Sequence, residues 1–233
     1  MTMQQRKIEK ELKEMGAVFV RFVDIRNLSG KENKNFPTAI LFGINLSIEY
    51  LQTVIKTPDY VQEMIRHNRD FSKDEYHLTE LKTGELADKT SQRLIESGYK
   101  AYSHSDENQI ETGFFDGIYE GTPLPHKTIA RLAGIGWIGK NNLLVTQEFG
   151  CALCLGVVLT DAPLETTSSK LMQSKCDNCN ICVKVCEPKT LKGQTWNVGI
   201  HRDDMLDVYK CTTCLKCMTF CTWTQNYIKQ HKI

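Results

Sequence analysis

The chain has 233 residues, of which 41% are hydrophobic and 24% are charged, so it is long enough and apolar enough to bury a core. Its 29 basic and 28 acidic residues leave a formal net charge of +1, which excludes a global basic field that would gather nucleic acid or anionic lipid. The first residues mix Lys and Glu, and no stretch approaches the roughly 18 uninterrupted apolar residues of a membrane span. We therefore expect a cytoplasmic protein without a membrane partner.

Alternating helices and strands are predicted in the first two thirds of the chain. Ile8, Leu12 and Met15 recur at helical spacing before Gly16, which predicts a short amphipathic helix. Further helices are predicted at 48–69, with an interruption at Pro58, and at 78–97 and 126–133. Strands are predicted at 17–25, 38–46, 99–105, 143–146 and 151–160. This alternation predicts an α/β or α+β fold. The polar, Ser/Thr-rich segment 162–175 predicts a boundary between a domain at 1–165 and a second domain at 166–233.

The ten cysteines are unevenly distributed. None precedes Cys151, and eight of them lie between Cys176 and Cys221. A secreted disulfide scaffold would spread its cysteines through the chain and would need an export signal. The distribution therefore predicts a reduced protein whose cysteines bind a metal centre.

Two segments, CDNCNICVKVCEP from residue 176 and CTTCLKCMTFCTW from residue 211, share the spacing C-x2-C-x2-C-x3-C. In two-cluster ferredoxins, the fourth cysteine of such a run binds the other cluster. Zinc knuckles instead pair two separated CxxC units, so zinc is the weaker interpretation. The spacing predicts two 4Fe–4S clusters. One is bound by Cys176, Cys179, Cys182 and Cys221, and the other by Cys211, Cys214, Cys217 and Cys186.

The segment GIGWIGKNN contains a G-x-G-x-x-G pattern at Gly134, Gly136 and Gly139. A dinucleotide-binding unit needs a strand before this pattern and a helix after it, and here the predicted order is reversed. The glycines either let the backbone pass close to a flat ligand or a neighbouring strand, or they form a tight connection without a ligand. The spacing does not decide between these alternatives.

Other candidate residues have ordinary interpretations when they are taken singly. Cys151 and Cys154 lie in an apolar run, which favours buried core residues over a redox dithiol or extra metal ligands. Trp137 could stack on a cofactor or fill the core. Glu120 lies in a loop bounded by glycines, and a loop glutamate is most often exposed to solvent.

A resemblance joins these features. PLPHKTIARLAGIGWIGKNNLLV (123–145), LTDAPLE (159–165) and the two cysteine motifs resemble the epoxyqueuosine reductase family and its shorter relatives. The resemblance implies a cobalamin-binding, three-layer α/β domain related to that of corrinoid iron–sulfur reductive dehalogenases. It also implies that a bacterial-type two-cluster ferredoxin module follows this domain, in a short form that lacks the C-terminal helical repeats.

The resemblance further implies a cobalamin-dependent iron–sulfur reductase, in which two 4Fe–4S clusters feed electrons to cobalt for the two-electron reduction of an epoxide or similar small organic group. Glu120 aligns with the family's catalytic aspartate and is the candidate general acid. The candidate residues for lining the corrinoid are His126, Lys127, Gly136, Trp137, Gly139 and Lys140.

The expected partners follow from this chemistry. They are a small-molecule substrate or modified nucleoside and an external low-potential electron donor such as a ferredoxin or flavodoxin. The longer family members act on tRNA in queuosine biosynthesis, but the near-neutral charge of this chain offers no tRNA footprint. Two alternatives remain open: a non-enzymatic ferredoxin-type electron-transfer protein, and a flavin-dependent iron–sulfur reductase.

Overall fold

The chain folds as a mixture of helices and strands, and its computed structural model describes residues 1–57, 60, 64, 70–167, 169–197 and 199–231. The helices are α1 Met3–Glu14, α2 Gly30–Asn33, α3 Ile48–Lys56, α4 Glu75–Glu96, α5 Asp106–Glu111, α6 His126–Leu132, α7 Ile181–Val185, α8 Arg202–Met205, α9 Lys216–Thr219 and α10 Thr222–Gln230. The strands are β1 Phe19–Asp24, β2 Thr38–Asn45, β3 Ala101–Ser103, β4 Gly136–Ile138, β5 Leu144–Thr146 and β6 Leu153–Thr160. The predicted mixed α/β class is confirmed.

Most predicted elements are present with slightly shorter bounds. The short helices α2 and α5 were not predicted, because four and six residues are too few to show an apolar period. Serine caps start both helices: the Ser29 hydroxyl accepts a hydrogen bond from the amide of Glu32, and the Ser105 hydroxyl accepts one from the amide of Asn108. In the part of the chain that the structure describes, no helix has the length and apolar character to cross a membrane.

The first of two compact units comprises Met1–Asn45, Leu78–Gly134 and Cys154–Leu171. It contains a four-stranded sheet in the order β1-β2-β6-β3, in which β1 pairs antiparallel with β2 and β3 pairs antiparallel with β6. Seven of the eight residues of β2 are buried, which agrees with the unbroken apolar run that predicted this strand. Close packing explains the glycine at 156, because a Cβ there would lie 2.2 Å from the ring of Phe42. The sheet is thus a tightly packed base for the loops of this unit.

The second unit comprises Leu46–His77, Ile135–Leu153 and Met172–Ile233. Its strands β4 and β5 form an antiparallel hairpin in which Trp137 faces Val145. A Cβ at Gly136 would lie 2.2 Å from the carbonyl oxygen of Val145, so this glycine allows the close approach of a neighbouring strand. Helix α7 contacts helix α9, and α9 also contacts α3. The domain boundaries predicted at 1–165 and 166–233 stay a prediction.

Candidate functional site

One set of thiols combines the first cysteine motif with the last cysteine of the second motif. Burial, together with the negative charges of Cys221, Cys176 and Cys179, raises the pKa of the Cys182 thiol to about 11. A thiolate exerts this effect only when it lies close by, since water screens distant charges. Cys182 therefore lies within electrostatic range of the other three cysteines that the spacing assigned to one cluster, and the binding of a cluster by these four stays a prediction.

The other set combines the second motif with the fourth cysteine of the first. Burial raises the pKa of the Cys217 thiol, and the charges of Cys214 and Cys211 add to this effect, followed by those of Cys182 and Cys186. Contact between α7 and α9, the helices that carry Cys182 and Cys217, explains why both sets influence Cys217. The fourth cysteine of the first motif thus lies within electrostatic range of the second motif, as a two-cluster ferredoxin arrangement requires.

The thiols have the donor chemistry of an iron–sulfur site. Within the described ranges, no three His, Cys, Asp or Glu side chains form a group that could hold a single metal ion. A 4Fe–4S cluster makes a different demand, because each thiolate binds a different iron and the four ligand sulfurs surround the cluster. The two sets of four cysteines match this demand in number and in donor type.

The surroundings of Cys221 stabilise the thiolate form of its side chain. It is the N-cap residue of α10, and its pKa is lowered to about 6, first by a hydrogen bond from the Cys151 side chain. The backbone amides of Trp223 and Thr224 and the Thr224 hydroxyl also donate to it. Donors at a helix N-terminus favour the thiolate, which is the form that binds iron.

The predicted ligand-lining residues Gly139 and Lys140 lie against the first cysteine motif. The Lys140 ammonium is buried and donates to the carbonyl oxygen of Asp177 at 2.8 Å and to Asn180 Oδ1 at 3.0 Å. A Cβ at Gly139 would lie 3.6 Å from Cys176 Sγ. These two residues therefore brace the loop that carries Cys176 and Cys179, and their role in lining a corrinoid stays a prediction.

Trp137 is buried beside the second cysteine motif. Only 1% of its surface is exposed, and its ring meets that of Trp223 edge to face at a centroid distance of 5.2 Å. Its indole nitrogen has no hydrogen-bond partner among the described residues. Trp137 thus fills the core of its unit while it leaves one polar atom for a ligand.

The first unit presents Glu120 on a closed loop. Backbone hydrogen bonds of 2.8 and 3.1 Å join Asp116 and Gly121 in both directions, and Asp116 Oδ1 accepts from the amides of Ile118 and Tyr119. Glu120 is exposed and has a left-handed backbone with φ of 54°. The loop therefore holds this carboxylate outward in a conformation that residues other than glycine rarely adopt.

His126 and Lys127 begin helix α6 after Pro125. His126 Nε2 lies 3.1 Å from the carbonyl oxygen of His104, and the ring also hydrogen-bonds the backbone of Leu155. Desolvation lowers the pKa of His126 despite these contacts and the nearby charge of Asp106. Lys127 follows it in a half-buried position.

His104 is a candidate residue that the sequence interpretation missed. It is fully buried among the rings of Tyr102, Phe114 and His126, whose centroids lie 5.3–5.5 Å away. Burial, together with the neighbouring His126 and Lys34, lowers its pKa to about 2. The only sequence feature that could have indicated His104 is its position directly between strand β3 and Ser105, the residue that caps helix α5.

Buried polar atoms without hydrogen-bond partners lie in and beside the aromatic box formed by the rings of Tyr102, His104, Phe114 and His126. Both ring nitrogens of His104 and the Oε1 atom of Gln109 lack hydrogen-bond partners in the described part of the chain. An unpaired buried polar atom costs about 1–3 kcal/mol, so proteins rarely keep several together without a purpose. These buried atoms therefore mark the surroundings of His104 as a candidate site.

Comparison with known proteins agrees with the motifs. No protein-family model matches the chain. It is 46% identical over 68 residues to the epoxyqueuosine reductase of Listeria monocytogenes, and 27% identical over 123 residues to that of Pseudomonas aeruginosa. These matches cover 28% and 53% of this chain, but only 17% and 31% of the relatives. The resemblance to epoxyqueuosine reductases is confirmed, and it covers a limited part of those proteins.

Solved structures share the fold of this chain. A reductive dehalogenase described with a mechanism for B12-dependent dehalogenation matches with a TM-score of 0.62 and 16% identity, covering 90% of this chain and 30% of that one. An epoxyqueuosine reductase in complex with an epoxyqueuosine-modified tRNA stem loop matches with a TM-score of 0.53 and 15% identity, covering 96% of this chain and 66% of that one. The chain therefore has the fold that these reductases share.

The buried His104 predicts that acid destabilises the fold. The unfolded chain takes up a proton on this ring below its ordinary pKa near 6.5, whereas the folded chain does not do so until pH falls to about 2. Stability contributed by neutral His104 is thus present above pH 6.5 and is lost as the pH falls below it. Between pH 7 and pH 5 the loss is about 2 kcal/mol.

The substitution His104→Phe removes the proton uptake and keeps an aromatic ring in the box. Chemical unfolding at pH 7 and pH 5 should therefore show a smaller loss of stability for this variant than for the natural chain. Met3→Phe, at an exposed position without a titratable side chain, serves as the control and should keep the natural pH dependence. An unchanged loss in His104→Phe would contradict the prediction.

Proposed function

We propose that this chain is a cobalamin-dependent iron–sulfur reductase similar to epoxyqueuosine reductase. The observation that carries the proposal is that Cys182 of the first motif lies within electrostatic range of Cys221, and Cys217 of the second motif within range of Cys186, as expected for two clusters that exchange their fourth ligands. The fold likeness to a B12-dependent dehalogenase over 90% of the chain supports a corrinoid as the second cofactor. The proposed architecture is a three-layer corrinoid-binding domain with a two-cluster ferredoxin module.

The proposed cofactors would divide the chemistry between them. When bound, the clusters would deliver electrons singly and the corrinoid would supply a strongly nucleophilic two-electron reductant. The two sets of cysteines would hold the clusters. His104, His126 and Lys127 would hold the corrinoid, since they combine unpaired ring nitrogens, aromatic neighbours and a positive charge in one unit.

Glu120 is the proposed general acid. Opening a C–O bond of an epoxide develops negative charge on the oxygen, and a carboxylic acid that donates a proton to this oxygen lowers the barrier. Its exposed place on the loop closed by Asp116 and Gly121 gives it access to a substrate. Glutamate is one methylene longer than the family's aspartate, so its carboxyl group would extend about 1.5 Å further from the backbone toward the substrate.

The proposed substrate is a small organic molecule or a modified nucleoside that carries an epoxide or a similar reducible group. The related structure with a modified tRNA stem loop supports a nucleoside, whereas the net charge of +1 gives no support to an extended tRNA contact. An external low-potential donor such as a ferredoxin or flavodoxin would supply the electrons.

The exchange of fourth ligands predicts which substitutions damage the same cluster. Cys221→Ser and Cys176→Ser should affect the same cluster signal. Cys186→Ser and Cys211→Ser should both affect the signal of the other cluster. Electron paramagnetic resonance of the reduced, anaerobically reconstituted chain identifies the surviving cluster, and iron content should fall from about eight to about four per chain. A Cys221→Ser spectrum that matches that of Cys211→Ser would contradict the pairing.

Cobalamin binding separates the proposed function from its two alternatives. Anaerobic addition of cobalamin to the reconstituted chain should change the visible absorbance of the corrinoid, because the protein replaces water around it. Cluster signals without corrinoid uptake or turnover would instead indicate a ferredoxin-type electron-transfer protein. A yellow protein with a flavin spectrum would indicate a flavin-dependent reductase.

The role of Glu120 predicts a separation between binding and turnover. Glu120→Gln should keep cobalamin binding, while epoxyqueuosine reduction, assayed on the nucleoside and on a modified stem loop, falls about 10²- to 10⁴-fold because the proton donor is gone. Glu111→Gln, an exposed glutamate of the same unit, is the matched control and should keep its activity. Unchanged turnover in Glu120→Gln would remove this residue from the mechanism.

A further inference from the structure

Lys140 is a buried cation beside the first cysteine motif. Only 7% of its surface is exposed, although a lysine ammonium normally stays in contact with water. The ammonium donates to the carbonyl oxygen of Asp177 at 2.8 Å and to Asn180 Oδ1 at 3.0 Å. These two acceptors flank Cys179 in the sequence, so the charge of Lys140 lies beside the loop that carries this thiol.

Both acceptors of the Lys140 ammonium are neutral oxygens. Asp177 contributes its backbone carbonyl, and this residue is exposed, so water screens its carboxylate. Asn180 is the N-cap residue of α7, yet its side chain accepts from Lys140 instead of capping a helix amide. A buried charge is costly unless an opposite charge or a metal centre pairs with it. A 4Fe–4S cluster bound by four thiolates is anionic and would supply the missing negative charge.

The second cysteine motif has different contacts with the same loop. Asn141, the next residue after Lys140, donates its uncharged amide to the carbonyl oxygen of Cys217 at 3.1 Å. Lys216, which lies inside the second motif, forms an ion pair with Glu187, so its charge is compensated. Two motifs of identical cysteine spacing therefore differ in their electrostatic surroundings, because the buried cation with neutral partners lies beside the first of them.

We propose that the buried ammonium of Lys140 raises the reduction potential of the 4Fe–4S cluster bound at Cys176 and Cys179. Reduction adds one electron from the external donor and makes the cluster more negative, and a nearby positive charge stabilises this reduced state. The effect is strong at a buried position, because the effective dielectric constant there is lower than in water. This inference rests on the two-cluster function proposed above.

The position of this charge distinguishes two clusters whose cysteine spacings are identical. Because Lys140 favours reduction beside the first motif, an electron shared between the two clusters would reside mainly on the cluster bound at Cys176 and Cys179. Electron transfer between the clusters would then have a preferred direction, toward the first motif.

Potentiometric titration followed by electron paramagnetic resonance tests the proposal on the full, anaerobically reconstituted chain. Lys140→Met removes the charge at nearly constant length, and Lys140→Gln removes the charge but keeps a hydrogen-bond donor. Both variants should shift the potential of one cluster, the one affected in Cys179→Ser, to a more negative value, and shift the other cluster much less. Lys140→Arg keeps the charge and should stay close to the natural potential.

The matched control is Lys184→Met, which removes the same charge from an exposed position on α7, within the first motif. Water screens the charge of this lysine, so its removal should change either potential much less than the removal of the buried charge does. A shift in Lys184→Met as large as that in Lys140→Met would contradict the role assigned to burial.

The remaining outcomes decide the question as well. Unchanged potentials in Lys140→Met, an equal shift of both clusters, or an equal shift in Lys140→Arg would overturn the proposal. A natural potential in Lys140→Gln beside a shifted one in Lys140→Met would assign the effect to the hydrogen bonds and overturn the role of the charge.

Failure of cluster assembly is also informative. If Lys140→Met assembles no cluster at the first motif, Lys140→Gln takes its place, because it keeps a donor for the loop. Loss of the cluster in both variants would make Lys140 necessary for assembly and would overturn an effect on the potential. Absence of cluster signals in the natural chain would overturn the proposed function itself, before any variant is compared.

Discussion

The sulfur of Cys221 lies where the two cysteine motifs of the second unit come within electrostatic range of each other. This cysteine ends the second motif in sequence, but its thiolate lies in electrostatic range of Cys182 in the first motif. It can be there only because α7 contacts α9 and because α10 begins at Cys221 with its amides directed at the sulfur. A thiolate in a buried place needs such donors, since burial alone favours the neutral thiol. The same donors therefore stabilise the thiolate of Cys221 close to the first motif.

The segment around GIGWIGKN supports this arrangement more directly than its motif suggested. Gly136 allows strand β4 to pair closely with β5, and Lys140 donates to the loop of the first cysteine motif. Asn141 links the second motif to Cys151. A short run of residues that resembles a phosphate-binding pattern thus works mainly through backbone packing and hydrogen bonds to the cysteine loops.

The first unit presents a different physical situation, in which polar groups are buried without partners. His104 is enclosed by aromatic rings, and its nitrogens, like the Oε1 atom of Gln109, make no hydrogen bonds within the described residues. The four-stranded sheet can tolerate this cost because its own core is closely packed, as the contact between Gly156 and Phe42 illustrates. Unpaired groups on a rigid base are typical of a preformed site that a ligand completes.

The mixed α/β class and the main strands could be predicted from the sequence, because apolar periods are local properties of the chain. The two cysteine sets and the exchange of Cys186 and Cys221 rest on a spacing that occurs twice and stay predictions. Only the tertiary structure decided the surroundings of His104, Lys140 and Cys151. His104 is enclosed by burial, whereas Lys140 and Cys151 bond to Asp177 and Thr224, which are distant in the chain. A sequence pattern records which groups are present, but the hydrogen bonds and desolvation that determine their chemistry exist only once the chain has folded.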